Sequence, residues 1–267
     1  MNNIRIFCGW DLKFNLQHEK QIELYVDQVP STPTPPNTVR FVFLLEPPEI
    51  KNIGPQALNG LNTGRYNYLL THNQELINAS DKAHLFEFAT SWVKNYHFPE
   101  KKYEVSALVG GKNMAPGHGL RTQLLKREMS ITKPKKIFVS GNFPPRDMDI
   151  KRFSVLGKDK SPLFDSQFHI CIENAKRPNW FTEKLIDCLI TKTVPIYWGC
   201  PNIGNWFNLK GFIIVDSVDE IISAANSITP ELYNEMLPYI EENYEKAIPL
   251  STIEDRLINK MLELVNG

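Results

Sequence analysis

The sequence predicts an α/β fold of two compact domains, each a parallel sheet packed with helices. Three observations lead there. Short apolar runs of strand length alternate with amphipathic helical stretches along the chain. Residues 168–199 compress the pattern into strand, polar loop, helix and strand, the unit from which parallel sheets are built. The length of 267 residues lies between one large domain and two small ones, so two domains of roughly 125 residues each fit. The expected division is 1–130 and 131–267.

In the first domain, strand 4–8 opens the chain. Residues 30–37 hold Pro30, Pro33, Pro35 and Pro36 and read as a loop, because proline lacks the N–H that a helix or sheet interior uses. Strand 40–45 ends at Glu46, directly before Pro47 and Pro48. A carboxylate placed there is held rigidly at the carboxyl end of a buried strand, where α/β domains present their chemistry. Strand 66–70 runs into Thr71, His72 and Asn73, and strands 84–88 and 103–109 follow. Gly110, Gly111, Gly117 and Gly119 make 110–119 a flexible loop ahead of a helix over 120–129, with Arg121 at its start. Such a loop lets backbone approach a phosphate, and an arginine beside it can pair two phosphate oxygens. The loop is neither a Walker A nor a dinucleotide fingerprint: Asn113 follows Lys112, and position 122 is Thr. His118 within it reads as a solvated loop residue.

The second domain follows a basic stretch, Lys133, Pro134, Lys135 and Lys136, that reads as a solvated linker. Strands are expected at 136–140, 168–172, 194–198 and 211–215. His169, inside the second of these, reads as a satisfied core histidine. Leu185, Ile186, Leu189 and Ile190 recur at helical spacing, with Asn179 or Thr182 as the cap. In a right-handed βαβ unit the crevice lies at the carboxyl ends of the strands, which puts Glu173, Asn174, Trp180, Glu183 and Lys184 at its rim. A lysine in the first helical turn opposes the helix dipole unless an anion shares the site, so Lys184 points to a phosphorylated ligand. Ser217 to Glu220 opens a helix as a capping box, and Thr229 with Pro230 opens another.

Composition narrows the partners. Thirty basic residues balance thirty acidic ones, so nothing global attracts nucleic acid or an anionic membrane, and any anion site is local. Cys8, Cys171, Cys188 and Cys200 show no CxxC spacing, which suits a reduced, cytosolic chain. No signal peptide and no apolar stretch long enough to span a bilayer is expected.

Glu173-Asn174, the run from Trp180 to Lys184, and the run from Thr193 to Gly199 together resemble the donor-binding signature of glycosyltransferase family 10, the α1,3/4-fucosyltransferases. Trp180 stands where the family usually has Tyr, Ala175 where it has Ser and Phe181 where it has Val. The resemblance implies a GT-B fold, two Rossmann-like domains facing a cleft, with an acceptor-side domain at 1–130 and a donor domain at 131–267. It implies inverting transfer of fucose from GDP-fucose to a hydroxyl of an acceptor glycan, with no cofactor and no obligatory metal. Asn174 would contact the ribose, Trp180 would line the donor pocket, Glu183 would face ribose or sugar, and Lys184 and Arg121 would hold phosphate. Glu46, like the Glu of the family's Glu-Ser-Pro segment, would be the general base, and Thr71 to Asn73 would line the acceptor side. Eukaryotic members are anchored in the Golgi, so the chain resembles a soluble bacterial or viral form, working in the cytoplasm of a bacterium or an infected host cell. Two alternatives stand beside this. One is a transferase of the same fold that uses another nucleotide sugar. The other is a metal-dependent GT-A transferase using Asp147 and Asp149, which spell Asp-x-Asp around Met148. The sequence leaves the oligomeric state open.

Overall fold

The computed structural model describes residues 4–9, 17–140, 143 and 149–267. The chain forms two compact units: 1–88 with 178–180 and 252–267, and 89–177 with 181–251. The division therefore falls after residue 88 rather than after 130. Strand pairing is the reason, because residues 102–109 bond into the second sheet rather than the first.

The first unit holds β1 (Ile4–Phe7), β2 (Gln21–Val26), β3 (Thr38–Leu44), β4 (Tyr68–Thr71) and β5 (Ala83–Leu85), all parallel and ordered as in the sequence. Strand β2 was not foreseen: Glu23 breaks its apolar run. In the fold that carboxylate is buried and takes a hydrogen bond from Arg40 Nε of β3 at 2.6 Å. Arg40 Nη1 also donates to Thr32 O at 2.8 Å and Pro33 O at 3.0 Å, which ties down the proline-rich loop. One face packs α1 (Gly54–Asn62) and α2 (Gln74–Ala79) against Val42, Leu44 and Leu69. The other face packs Leu24, Phe41 and Phe43 against Ile253, Leu257 and Met261 of α7 (Ile253–Asn266).

The second unit holds β6 (Lys102–Val109), β7 (Lys135–Val139), β8 (Ser154–Val155), β9 (Ser166–Ile172), β10 (Val194–Trp198) and β11 (Ile213–Ile214). Every pairing is parallel, in the order β11-β10-β9-β6-β7-β8. Numbered from β6, this is the 3-2-1-4-5-6 order of a doubly wound nucleotide-binding sheet, and its direction reverses between β6 and β9. In open α/β sheets of this kind the ligand crevice lies at the switch point, beyond the carboxyl ends of the strands. Alternation along β9 divides the core: Phe168, Ile170 and Ile172 face α3 (Pro116–Lys126), α5 (Val218–Ser227) and α6 (Pro230–Ala247), while Cys171 faces α4 (Glu183–Ile190). Helix α3 starts at Pro116 rather than at residue 120. Thr182 caps α4, and Thr229 with Pro230 opens α6. Ser217 caps α5 by accepting from Glu220 N, but the Glu220 carboxylate takes its bond from Asp216 N, so the box is shifted by one residue. No described helix is long and apolar enough to cross a membrane.

Candidate functional site

The switch point of the second sheet gathers four of the six candidate residues. Strand β6 leads through 110–115 into α3, which brings Arg121, and β9 leads through Glu173 and Asn174 to α4, which brings Glu183 and Lys184. Arg121 Nη1 and Nη2 donate to Asn174 Oδ1 at 3.2 and 3.1 Å, and Nη2 also donates to Ile172 O. Burial lowers the Arg121 pKa from its ordinary value and the nearby Glu173 opposes it; arginine stays charged throughout.

Glu173, foreseen only at the rim, closes the loop on itself. Its fully buried carboxylate accepts from Thr182 N at 2.8 Å and Thr182 Oγ1 at 2.7 Å, strapping the end of β9 to the start of α4. Burial raises its pKa. Glycine at 117 serves the same construction. A Cβ there would lie 1.8 Å from Glu173 O, and Gly117 N donates to Asn174 O at 2.9 Å. The glycine thus admits the 173–174 backbone.

Lys184 Nζ donates to Glu183 Oε1 at 3.0 Å and to Thr182 Oγ1 at 3.2 Å, and stands 3.8 Å from Glu173 Oε2. Burial pulls its pKa down, but Glu183 and Glu173 outweigh burial and leave it raised. Burial pushes Glu183 up, and Lys184 with Lys160 outweighs it, holding that carboxyl below its usual range. Both are therefore ionised at neutral pH. His118 is buried rather than solvated: at the third position of α3 its Nδ1 accepts from Met114 N at 3.2 Å and Ala115 N at 3.1 Å. Burial, then Arg121, Lys112 and Lys184, hold it at about 4, so it is neutral. His169 is the core histidine expected, 2.7 Å from Ser106 Oγ and pushed down by burial to about 3.

The remaining candidates lie in the first unit. Glu46 follows β3, partly buried. Asp27, which sequence reasoning missed, fixes its backbone: Oδ1 accepts from Leu45 N at 2.8 Å and Glu46 N at 3.2 Å. Asp27 sits at φ 51°, left-handed backbone that Asp and Asn tolerate best among non-glycine residues, a local signal no strand pattern shows. Trp180 is 1% exposed and its indole N–H donates to Leu45 O at 3.0 Å. The 71–73 segment has a structural task, with Asn73 capping α2 through Glu75 N at 2.9 Å. Asp147 lies outside the described residues. Asp149 caps a short 3-10 turn by accepting from Lys151 N at 3.0 Å, and no group of three or more His, Cys, Asp or Glu among the described residues could hold a metal.

Two units, each a parallel sheet packed with helices, give a chain of the GT-B-like fold class. The chain is 33% identical over 94 residues to the α-(1,3)-fucosyltransferase FucT of Helicobacter pylori, a match covering 35% of this chain and 19% of the relative. The chain therefore spans only about a fifth of that relative's length. No family model matches the sequence. Among solved structures, an α1,3-fucosyltransferase aligns over 87% of this chain and 77% of its own, with a TM-score of 0.53 and 16% identity. Its form solved with GDP-fucose aligns at 0.51. The pneumococcal O-GlcNAc transferase GtfA, solved with UDP and GlcNAc, aligns over 91% of this chain and 56% of its own at 0.52 and 9% identity. At these identities the structural likenesses establish the fold alone.

Proposed function

We propose that the chain is an inverting glycosyltransferase that moves fucose from GDP-fucose to a hydroxyl of an acceptor glycan, without an obligatory metal or cofactor. The observation that carries this is the convergence of Arg121, Asn174, Glu183 and Lys184 at the switch point of a doubly wound sheet, together with the sequence likeness to the fucosyltransferase.

The donor's diphosphate is the anion that Arg121 and Lys184 await, and its negative charge also meets the amino end of α4. Asn174, oriented by Arg121, faces the ribose, and Glu183 faces ribose or sugar. As the glycosidic bond to GDP breaks, negative charge grows on the diphosphate, and the two cations stabilise that growth. Glu46 takes the proton of the acceptor hydroxyl as it attacks the anomeric carbon from the side opposite the leaving group. The reading places the chain in a cytoplasm, where GDP-sugars are available to it.

The test offers GDP-fucose and galactosyl or N-acetylglucosaminyl disaccharides and reads product by mass, with EDTA in a parallel arm. A fucosylated product formed equally with EDTA supports the reading. Transfer restored only by Mn²⁺ or Mg²⁺ would favour the metal-dependent alternative, and transfer from another nucleotide sugar alone would move the donor assignment.

A further inference from the structure

Glu183 is held by two ammonium groups. Lys184 Nζ stands 3.0 Å from Oε1, and Lys160 Nζ stands 3.7 Å from the same oxygen. Lys160 comes from outside the βαβ unit, at the head of the 3-10 turn Ser161–Phe164 that precedes β9. Its ammonium lies 3.7 Å from the centroid of the Trp92 ring, within cation–π range. The segment bearing Trp92 is itself fixed by Asp187, whose buried Oδ1 accepts from Ser91 Oγ at 2.8 Å, Trp92 N at 2.9 Å and Val93 N at 3.2 Å. Asp187 is four residues after Glu183, one turn along the same face of α4. One helix therefore carries the carboxylate and anchors the seat of its second cation.

That seat answers a problem in the donor site. Lys184 is engaged by Glu183 and Thr182 and stands near Glu173. If it turns to a phosphate, Glu183, only 3% exposed, loses its nearest partner, and a buried carboxylate left without a cation is strongly unfavourable. We propose that Lys160 is a positioning residue of the donor site, keeping Glu183 paired and in place while Lys184 engages the donor's diphosphate. The inference rests on the donor reading above.

The test is a double-substitution cycle on the whole chain, with GDP binding read by calorimetry and folding by circular dichroism. Lys160→Met weakens GDP by about tenfold, the size expected of contacting charged groups, and Lys160→Arg restores most of the loss. In a Glu183→Gln background, where no buried charge needs a partner, Lys160→Met changes affinity by less than about twofold. Equal loss in both backgrounds overturns the proposal, because Lys160 then acts on the ligand or the fold directly; so does unchanged affinity in Lys160→Met. If Lys160→Met does not fold, Lys160→Gln takes its place in the cycle. Failure of the unsubstituted chain to bind GDP removes the donor reading and this inference together, and is seen before any substitution is made.

Discussion

Lys184 and Arg121 are cations with different duties. Lys184 keeps a quarter of its side chain exposed, whereas Arg121 already braces Ile172 O and Asn174. Lys184→Ala is expected to weaken GDP by about 1.5–3 kcal/mol, the usual worth of hydrogen bonds to a charged group. Arg121→Ala should lose a similar amount and also lower the melting temperature, because two acceptors at the end of β9 lose their donor. Calorimetry and thermal melts separate the two effects, and unchanged GDP affinity in both would dissolve the phosphate site. Glu46→Gln keeps the side chain's shape but cannot take a proton. Turnover should fall by about 10²–10⁴ with GDP affinity within a few fold; a variant turning over normally would pass the role of base to Glu49. The polar cluster was legible because polar residues after a buried strand and before an amphipathic helix have few other uses. The bond from the Trp180 indole to Leu45 O was not legible, because its partner lies 135 residues away and no local pattern reports it.

At the scale of elements, the approach of α3 to the end of β9 depends on one missing methyl. Gly117→Ala would place Cβ 1.8 Å from Glu173 O, forcing the helix and strand apart. We expect a loss of about 1–3 kcal/mol or more by chemical denaturation, with weaker GDP binding because Arg121 is one turn further along. At the start of β6's approach, Lys101 Nζ donates to Tyr96 Oη at 3.0 Å, Thr193 Oγ1 at 2.8 Å and Phe164 O. Burial holds its pKa down at about 7 against an ordinary 10.5. Between those values the unfolded chain binds more protons than the folded one, so this residue's share of stability rises with pH from about 7 toward 10. Urea midpoints at pH 6.5 and 9 should therefore rise more in the parent than in Lys101→Met; equal rises would remove Lys101 as the source. Most strands were visible as apolar runs. Strand β2 was hidden by Glu23, whose charge is neutralised by a residue on the neighbouring strand, a pairing that only the folded sheet creates.

Across the whole molecule, a ligand that binds only the folded state raises stability by mass action. GDP at a hundred times its dissociation constant should add about 2.7 kcal/mol, visible in a thermal-shift panel of nucleotides in which GDP leads. Asp147→Asn should leave both that shift and EDTA-treated transfer intact; loss of transfer restored by Mn²⁺ would reinstate Asp147 and Asp149. Length and alternation conveyed two α/β units but misplaced their border at 130. Nothing local marks 89–130 as belonging to the second sheet, since that membership is set by the pairing of β6 with β7 and β9.

The first unit is completed by α7, whose Ile253, Leu257 and Met261 are buried against the β2–β3 face. Deleting the last sixteen residues would therefore injure the beginning of the protein before its end. Such a deletion should expose Phe41 and Phe43, promote aggregation, and leave the sheet of the second unit the better ordered. For anyone placing an affinity tag, residues 252–267 count as part of the unit that holds β1 to β5.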